Sequence, residues 1–298
     1  MAFENLVLGL DFLEEPGFTT RVLRDVNPLN KSKKKRLIEI PNDVMKIIHG
    51  RFVGYLRHLP IKYHYATGCL PGSSPLGNVQ RHRHNRFFYL VDLKQAYSHV
   101  KVQELARAIC QADPSLNGQR REVRGFLTKY CMSRFGGLAT GAPASPDLFN
   151  LYCFYLLDKP LEKIIIKHGL TYTRYLDDLT FSSKERISRS VRKEIREIIK
   201  LADFPANHLK SEVRDLKKGS IVINGIGLEF GGRVFLPRDF TCYLFGLLHK
   251  GQQGHIDLWP KIEGAMRVYF SDTSRKKLNQ TERRVIKEYK KFRRFLDK

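Results

Sequence analysis

Two adjacent aspartates, Asp177 and Asp178, interrupt the strand-like, largely apolar run RYLDDLTF at residues 174–181. Burying an unpaired carboxylate costs several kcal/mol or forces a pKa shift, so a buried strand rarely carries two neighbouring acids. TYTRY and LTFSS flank the pair like the two strands of a hairpin, and a hairpin tip presents adjacent acids that a straight strand would point to opposite faces. The stretch therefore predicts an acidic hairpin tip, which is either an ordinary Asp-rich turn or a site for a divalent cation.

A third acid, Asp92, follows the apolar run RFFYLV, which is typical of a buried strand. An acid at the end of such a strand suits metal ligation, although it also suits a turn or the N-cap of a helix. Mg²⁺ prefers oxygen ligands and is usually shared by one or two carboxylates and substrate phosphates. Two metal ions about 4 Å apart can activate an attacking hydroxyl and stabilise a leaving pyrophosphate. We therefore take Asp92, Asp177 and Asp178 as the candidate catalytic and metal-binding residues.

The chain is strongly basic, with 53 Lys and Arg against 30 Asp and Glu and a formal net charge of +23 over 298 residues. This charge favours a polyanionic partner such as nucleic acid; colloidal stability and an anionic membrane surface are the alternatives. No apolar run of about 18 residues predicts a membrane span, and the acidic N-terminal stretch is unlike a signal peptide. Five scattered cysteines without a CxxC pair are typical of reduced thiols, so we expect a cytoplasmic protein.

Strand and helix patterns interleave without a regular βαβ series, which favours an α+β fold of antiparallel strands backed by helices. A helix is predicted to begin at Pro41, Asn42 and Asp43, because proline in a first turn is a helix-start signal. Residues 68–86 are rich in Gly, Pro and Ser, and residues 134–146 are rich in Gly, Ala and Pro, so both predict loops.

The C-terminal part predicts an amphipathic helix over residues 187–203, a strand pair over 220–237 and a basic helical tail over 264–298. From Arg267 onward the tail carries 12 Lys or Arg against 4 Asp or Glu. We expect its interleaved aromatic residues to pack against the palm more often than they stack on bases. The basic run at 31–36 predicts either a solvated edge or an RNA contact.

Four short motifs stand in the order of the polymerase motifs A, B, C and D of reverse transcriptases: VDLKQAY (91–97), TGAPASP (140–146), YLDD (175–178) and NHLKSE (207–212). GIGLEFGGRVF follows where the primer-grip region would lie. The ordered set resembles the prokaryotic enzymes of retrons and group II introns and, above all, the defence-associated "unknown group". Thr140 stands where a Gln is usual, NAxxH is missing, and INGIGL replaces the VTG of retrons; these departures favour the defence-associated relatives.

The resemblance implies a right-hand polymerase fold with fingers, a palm built on an antiparallel sheet, and a short helical thumb. It implies an N-terminal helical extension over 1–60, fingers and palm over 61–240, and a short basic helical thumb over 241–298. The implied activity is that of an RNA-directed DNA polymerase that adds dNTPs to a primer on an RNA template, with two Mg²⁺ ions or Mn²⁺ in their place. The expected partners are a cognate non-coding RNA, the DNA primer or product, and dNTPs, with a protein partner or an oligomer left open and no membrane. The lack of further catalytic domains favours a role in antiphage defence over a mobile element.

The resemblance also implies roles for single residues. Asp92 and Asp177 would hold both metal ions with help from the Leu93 carbonyl, and Asp178 would complete the acidic cluster. Tyr97 would be a steric gate against a ribose 2′-hydroxyl, with core packing as the other interpretation. The remaining candidates for nucleotide binding are the motif B loop, one lysine and three arginines: Thr140, Gly141, Ala142, Pro143, Lys210, Arg81, Arg83 and Arg86.

Three alternatives remain at this stage. His82 and His84 in RHRHNR permit a metal pair, although alternating basic residues beside a loop more often form a phosphate-facing or solvated edge. A catalytically silent RNA-binding module on a palm fold would have no need for the complete acidic set. An RNA-templated RNA polymerase would be hindered by an aromatic gate at Tyr97.

Overall fold

The structure is a computed structural model that describes residues 3–7, 15–26, 33–205, 211–273 and 280–296. Within these ranges the strands are β1 (Phe18–Val26), β2 (Lys33–Pro41), β3 (Phe87–Asp92), β4 (Thr171–Tyr175), β5 (Asp178–Ser183), β6 (Glu212–Asp215), β7 (Ile221–Ile223), β8 (Ile226–Leu228) and β9 (Val234–Phe235). The α-helices are α1 (Asp43–His58), α2 (Pro75–Gln80), α3 (Val102–Ala112), α4 (Arg120–Tyr130), α5 (Ser145–Cys153), α6 (Lys159–Lys167), α7 (Arg189–Leu201), α8 (Arg238–Gln252), α9 (Trp259–Thr273) and α10 (Gln280–Leu296). A π-helical turn, Phe154–Asp158, joins α5 to α6.

The central sheet is antiparallel throughout and has the strand order β4-β5-β3-β6. Both of its faces are covered, because side chains of β3 alternate between two hydrophobic clusters. Tyr89 and Val91 pack into the main core with the helices α1 and α3 to α7. Phe88 packs on the opposite face against β7 and β8. This period of two is the expected alternation of a strand between two layers, and the predicted α+β class is confirmed.

The three C-terminal helices α8, α9 and α10 form a separate hydrophobic cluster around residues such as Leu244, Met266 and Phe292. The helices approach closely, since a Cβ added at Gly251 would lie 2.6 Å from the ring of Phe292. Tyr269 and Phe292 of the tail are 1% and 0% exposed, but they pack within this cluster and not against the palm as predicted.

The N-terminal segment differs from the helical extension predicted for residues 1–60. β1 and β2 pair from Phe18–Pro41 through Val26–Lys33 and form a long hairpin, so α1 is the one α-helix among the described residues of this segment. Pro41 is the last residue of β2, and Asn42 is the N-cap of α1, whose side chain accepts from the amide of Met45. The helix therefore begins at Asp43, two residues after the proline that served as its predicted start signal. Lys31 lies outside the described residues, and the rest of the basic run lies in β2.

Three further elements correct the sequence-based prediction. The predicted loop 68–86 contains α2, which Ser74 caps and Pro75 begins. Helix α4 was not predicted at all. The predicted strand pair over 220–237 is a three-stranded sheet, β7-β8-β9, because Asn224 and Gly225 turn the chain between β7 and β8. In the part of the chain that the structure describes, no helix has both the length and the apolar character to cross a membrane.

His82 is a buried structural residue, so the interpretation of His82 and His84 as a metal pair is wrong. Its side chain is 0% exposed, and its two ring nitrogens lie 2.7 Å from the hydroxyls of Ser182 and Thr173. His84 is exposed and its Nε2 accepts from Arg83 Nε at 2.9 Å. The two imidazoles therefore lie in different environments, one buried and one exposed.

Buried histidines predict a loss of stability in acid. Burial lowers the pKa of His82 to about 3 and that of His49 to about 4. The unfolded chain takes up these protons near pH 6.5, so the stabilisation is complete above that pH and is lost as the pH falls toward the folded-state values. Each histidine should contribute about 2 kcal/mol of destabilisation between pH 7 and pH 5. Urea unfolding at both pH values should show a weaker pH dependence for His82→Gln and the parent dependence for the exposed control His84→Gln; an unchanged dependence in His82→Gln would contradict the assignment.

Candidate active site

The two adjacent aspartates lie where β4 turns into β5. Tyr175 pairs with Asp178, so Leu176 and Asp177 form the turn itself. Leu176 adopts a left-handed φ of 54°, which is uncommon for a branched residue and marks a constrained turn. Both aspartates are exposed, and the predicted acidic hairpin tip is confirmed.

Asp92 joins this tip through the sheet register. It is the last residue of β3 and lies directly opposite Asp178 on β5. Directly opposite residues of an antiparallel pair have Cβ atoms about 5 Å apart on the same face. The amide of Leu93 also donates to the Asp177 carbonyl at 2.9 Å, which ties the end of β3 to the turn. The fold therefore gathers the three predicted acids at one edge of the sheet.

A buried ion pair supports the turn from below. Arg174 is 0% exposed, and its guanidinium pairs with Asp158 at 2.8 Å. Its Nη1 also donates to the side-chain oxygen of Asn150 at 2.9 Å and to the Leu176 carbonyl at 3.3 Å. Tyr172 donates its hydroxyl to Asp158 at 2.9 Å. Because the guanidinium reaches the turn itself, this network holds the position of the acidic residues.

A second support comes from the segment around Gly68. The Thr67 amide donates to the Arg174 carbonyl at 2.8 Å, and Asn150 donates to the Gly68 carbonyl at 2.9 Å. A Cβ at Gly68 would lie 2.9 Å from the backbone nitrogen of Leu176. Only glycine lets this segment approach the turn so closely.

An open cleft of about 330 Å³ begins at the acids. Its lining includes Asp92, Asp178, Glu212 and Asn224, whereas Asp177 lies beside it on the turn. Among the described residues, no three His, Cys, Asp or Glu side chains converge into a metal site on their own. This arrangement fits Mg²⁺, which commonly takes one or two carboxylates and completes its shell with water and substrate phosphates. The carboxylates of Asp92 and Asp178 are the hard oxygen donors that such an ion prefers.

Tyr97 lies in the 3-10 turn Ala96–His99 that follows Asp92. Its ring packs on Phe149 with centroids 5.1 Å apart, and its side chain is partly buried. Burial raises the pKa of its hydroxyl, with smaller contributions from Cys69 and Asp177. The backbone is fixed as well, since Leu138 donates to the Tyr97 carbonyl at 2.9 Å and a Cβ at Gly137 would lie within 2.4 Å of Ser98. The ring of Tyr97 is thus packed on Phe149, and Asp177 is close enough to affect the pKa of its hydroxyl.

The predicted motif B loop lies between this tyrosine and the N-terminal hairpin. The Thr140 carbonyl accepts from the Glu39 amide of β2 at 2.7 Å. Gly141 has a φ of 106°, and a Cβ there would lie 3.1 Å from the Glu39 carbonyl. Ala142 is buried and Pro143 is exposed. Thr140, Gly141 and Pro143 therefore present a surface that is held in place by β2.

Arg86 does not lie where a triphosphate ligand is expected. Arg86 precedes β3, whose opposite end carries Asp92, and six residues of strand separate them by roughly 20 Å. The guanidinium of Arg86 instead makes two 2.7 Å hydrogen bonds to Asp215, which lowers the pKa of that carboxyl to about 2. The assignment of Arg86 to the triphosphate is therefore corrected to a structural ion pair.

Arg81 and Arg83 also have partners within the protein. Arg81 donates to the His64 carbonyl at 2.7 Å, and Arg83 donates to His84. Both are exposed. Lys210 lies outside the described residues.

Comparison with known proteins decides the family. The family model for reverse transcriptase (RNA-dependent DNA polymerase) matches residues 28–219, which include all three aspartates and both loops described above. The chain belongs to the reverse transcriptase family. Family membership confirms the predicted enzyme class, an RNA-directed DNA polymerase.

Curated relatives of this reverse transcriptase include retron enzymes. It is 22% identical to the retron Ec83 reverse transcriptase of Escherichia coli over 231 residues, covering 74% of this chain and 73% of the relative. It is 28% identical to the retron Ec86 enzyme of the same species, covering 65% and 55%. It is also 28% identical to the retron Mx162 enzyme of Myxococcus xanthus, covering 74% and 50%. The predicted retron-like character is confirmed, while the preference for the defence-associated group stays a prediction.

Solved structures show the same fold. The telomerase of Candida albicans in complex with a TWJ fragment of telomeric RNA aligns with a TM-score of 0.54 at 11% identity, over 86% of this chain and 52% of the other. A truncated apo telomerase of Candida tropicalis gives 0.52 at 11% identity, over 74% and 57%. The reverse transcriptase thus has the predicted right-hand polymerase fold and spans about half of these telomerase chains.

Several residues that shape the site were not found from the sequence. Arg174 and Asp158 were not recognised as a pair, because nothing local shows that a strand residue and the π-helical turn meet. Asn224 was noted only as part of INGIGL, although its side chain lines the acidic cleft. Asn-Gly is a turn signal, but a turn signal does not tell which distant side chain the asparagine meets.

Proposed function

We propose that this reverse transcriptase copies an RNA template into DNA by two-metal nucleotidyl transfer at the acidic turn. The observation that supports the proposal most is the register of β3 and β5, which places Asp92 opposite Asp178 and beside Asp177. A fold that needed these strands only for packing would have no reason to end both in carboxylates at an open cleft. Membership of the reverse transcriptase family also supports this reaction.

The roles of the chain's residues follow from this geometry. Divalent cations, Mg²⁺ or Mn²⁺, would activate the primer hydroxyl and stabilise the leaving pyrophosphate when bound. Asp92 and Asp178 offer carboxylate oxygens from the neighbouring strands β3 and β5, and Asp177 offers a third from the turn. The Leu93 carbonyl is a further oxygen ligand in this proposal. Lys210 stays a proposed contact of the triphosphate.

Nucleotide selection is proposed to occur between Tyr97 and the motif B loop. Thr140, Gly141 and Pro143 form an exposed surface for a base pair in this proposal, and the missing Cβ of Gly141 lets β2 pack closely behind it. Tyr97 is rigid because its ring rests on Phe149 and its carbonyl is bonded to Leu138. A rigid ring excludes an extra hydroxyl by steric clash better than a mobile one does.

Replacing Tyr97 with alanine should increase the use of NTPs relative to dNTPs by about tenfold or more, because the gate acts through the volume of the ring. Tyr97→Phe is the matched control, since it keeps the ring and loses only the hydroxyl, and it should keep the parent selectivity. Single-nucleotide extension with dCTP and CTP measures the ratio. An unchanged ratio in Tyr97→Ala would leave core packing against Phe149 as the role of this residue.

The identity of the RNA template and the biological role of the enzyme are further parts of the proposal. The net charge of +23 supports a nucleic-acid substrate. We propose that the cognate template is a companion non-coding RNA, that the enzyme works in the cytoplasm, and that its role is antiphage defence. Plaque counts on cells with and without the intact locus test the role, and equal counts across a broad phage panel would contradict it.

The function is tested by primer extension with the purified chain, Mg²⁺ and dNTPs on matched RNA and DNA templates. Template-dependent products on RNA that disappear with EDTA are the expected result. Products made equally from NTPs would indicate an RNA polymerase. RNA binding without any extension, on generic templates and on RNA recovered with the protein from its native cells, would indicate a catalytically silent binding module.

A further inference from the structure

Asn224 contacts the acidic cluster from a different part of the chain. It stands at the tip of the β7–β8 hairpin with a left-handed φ of 48°. Its Nδ2 donates to Oδ2 of Asp178 at 2.9 Å, although the two residues are 46 positions apart. Both side chains line the same cleft. One oxygen of a candidate metal-binding carboxylate is therefore held by a neutral amide.

The orientation of this amide is set by a second asparagine. Asn78 of α2 is 1% exposed, and its Nδ2 donates to the side-chain oxygen of Asn224 at 2.6 Å. The side-chain oxygen of Asn78 accepts in turn from the Thr67 hydroxyl at 2.9 Å. If the Asn224 amide were reversed, its oxygen would face the Asp178 carboxylate and its NH₂ group would face the NH₂ group of Asn78. An amide oxygen that faced the Asp178 carboxylate would be repelled by it, so Asn224 acts toward Asp178 as a donor.

The same network returns to the acidic turn. The Thr67 amide donates to the carbonyl of Arg174, which lies on β4 just before the turn. The chain of bonds therefore runs from Asp178 through Asn224, Asn78 and Thr67 back to the hairpin that carries the acids. The bonds from Thr67 to Asn78 and from Asn78 to Asn224 are buried or partly buried, and buried hydrogen-bond networks stiffen the groups that they join.

We propose that Asn224 is a positioning residue that orients the Asp178 carboxylate for cation binding. This inference rests on the proposed function, because it takes Asp178 as part of the metal site. Hydrogen-bond partners of metal ligands typically change metal affinity or activity by about 10–100-fold when they are removed. Asn224 touches neither cation nor nucleotide in this proposal and acts only through Asp178.

Asn224→Gly is the variant that isolates the amide. Glycine accepts a positive φ without strain, so the hairpin tip keeps its backbone while the donor is lost. Asn117→Gly, at an exposed position with a φ of −58°, is the control for the loss of an asparagine side chain that does not line the cleft. Asn78→Ala is less informative, because a buried polar network would lose stability as well.

The test combines cation binding with catalysis. Mn²⁺ titration of the protein alone, followed by electron paramagnetic resonance, should show roughly tenfold or more weaker binding for Asn224→Gly and parent binding for Asn117→Gly. Primer extension by Asn224→Gly should need a correspondingly higher Mg²⁺ concentration and should recover at high Mg²⁺, with RNA affinity unchanged. A merely structural role would not be rescued by the cation.

The outcomes separate the two proposals. If the parent binds Mn²⁺ and Asn224→Gly binds it equally well, the positioning role is overturned and the metal site stands. If the parent binds no Mn²⁺ that depends on Asp177 and Asp178, the metal site is overturned and the positioning role with it.

Discussion

Replacing Asp92 with asparagine should reduce primer extension on RNA by roughly a thousandfold, since bound cations supply several kcal/mol of transition-state stabilisation at such sites. The exchange keeps the size of the side chain and the backbone pairing of β3 with β5. It removes one of the charges that attract the cations. Steady-state extension with dNTPs, together with thermal unfolding to show an intact fold, measures the effect.

Asp239→Asn is the control for this prediction, because Asp239 is an exposed acid in the first turn of α8. It should extend primers at the parent rate. Asp177→Asn and Asp178→Asn should each behave like Asp92→Asn. Extension by Asp92→Asn within a few-fold of the parent would show that the pairing of Asp92 with Asp178 has no catalytic purpose.

Replacing Arg174 with methionine should destabilise the protein by about 3–5 kcal/mol, because removal of one partner leaves a buried, uncompensated charge. Asp158 is 2% exposed and would keep only the Tyr172 hydroxyl among the partners described above. Asn150 and the Leu176 carbonyl would each lose a donor. Urea unfolding measures the change in the free energy of unfolding.

Two comparisons make this second prediction specific. Arg214→Met breaks an exposed pair with Glu212 and should cost less than about 1 kcal/mol. The double variant Arg174→Met/Asp158→Leu removes the buried charge altogether and should recover part of the loss, even if the single variant fails to fold. A single variant as stable as Arg214→Met would mean that the pair contributes little.

The acids and their strands could be predicted from the sequence, since their signals are local. The apolar run before Asp92 and the alternation around Asp177 and Asp178 follow from the side-chain period of a strand. Helix α7 likewise shows buried positions at Val191, Ile195 and Ile199 in an otherwise polar segment.

Other elements were missed although a signal existed. In α4, Val123, Leu127 and Tyr130 are buried with helical spacing, but charged residues between them obscured the pattern. In α2, the Ser74 cap and Pro75 are a helix start within a stretch whose composition predicts a loop. The hairpin of β1 and β2 was missed because the consecutive basic residues at the start of β2 do not alternate with apolar ones as strand residues usually do.

The supports of the site could not be predicted from local signals. The pairing of Arg174 with Asp158 depends on the π-helical turn that carries Asp158 and meets β4. The bond from Asn224 to Asp178 depends on how the small β7-β8-β9 sheet packs beside the central one. Such contacts depend on tertiary packing between distant segments, and no short stretch of the sequence shows which segments will meet.

The strand order β4-β5-β3-β6 has a consequence for synthesis of the chain. β3 carries Asp92 early in the sequence, but its two neighbours in the sheet, β5 and β6, are made only after helices α3 to α6. Pairing over such a separation is a slow, non-local step in folding. During synthesis, Asp92 is therefore made well before Asp177 and Asp178, which follow only after helices α3 to α6. The acidic cluster is complete only once the turn between β4 and β5 has been made, and a product that stops at the end of β4 lacks two of the three acids.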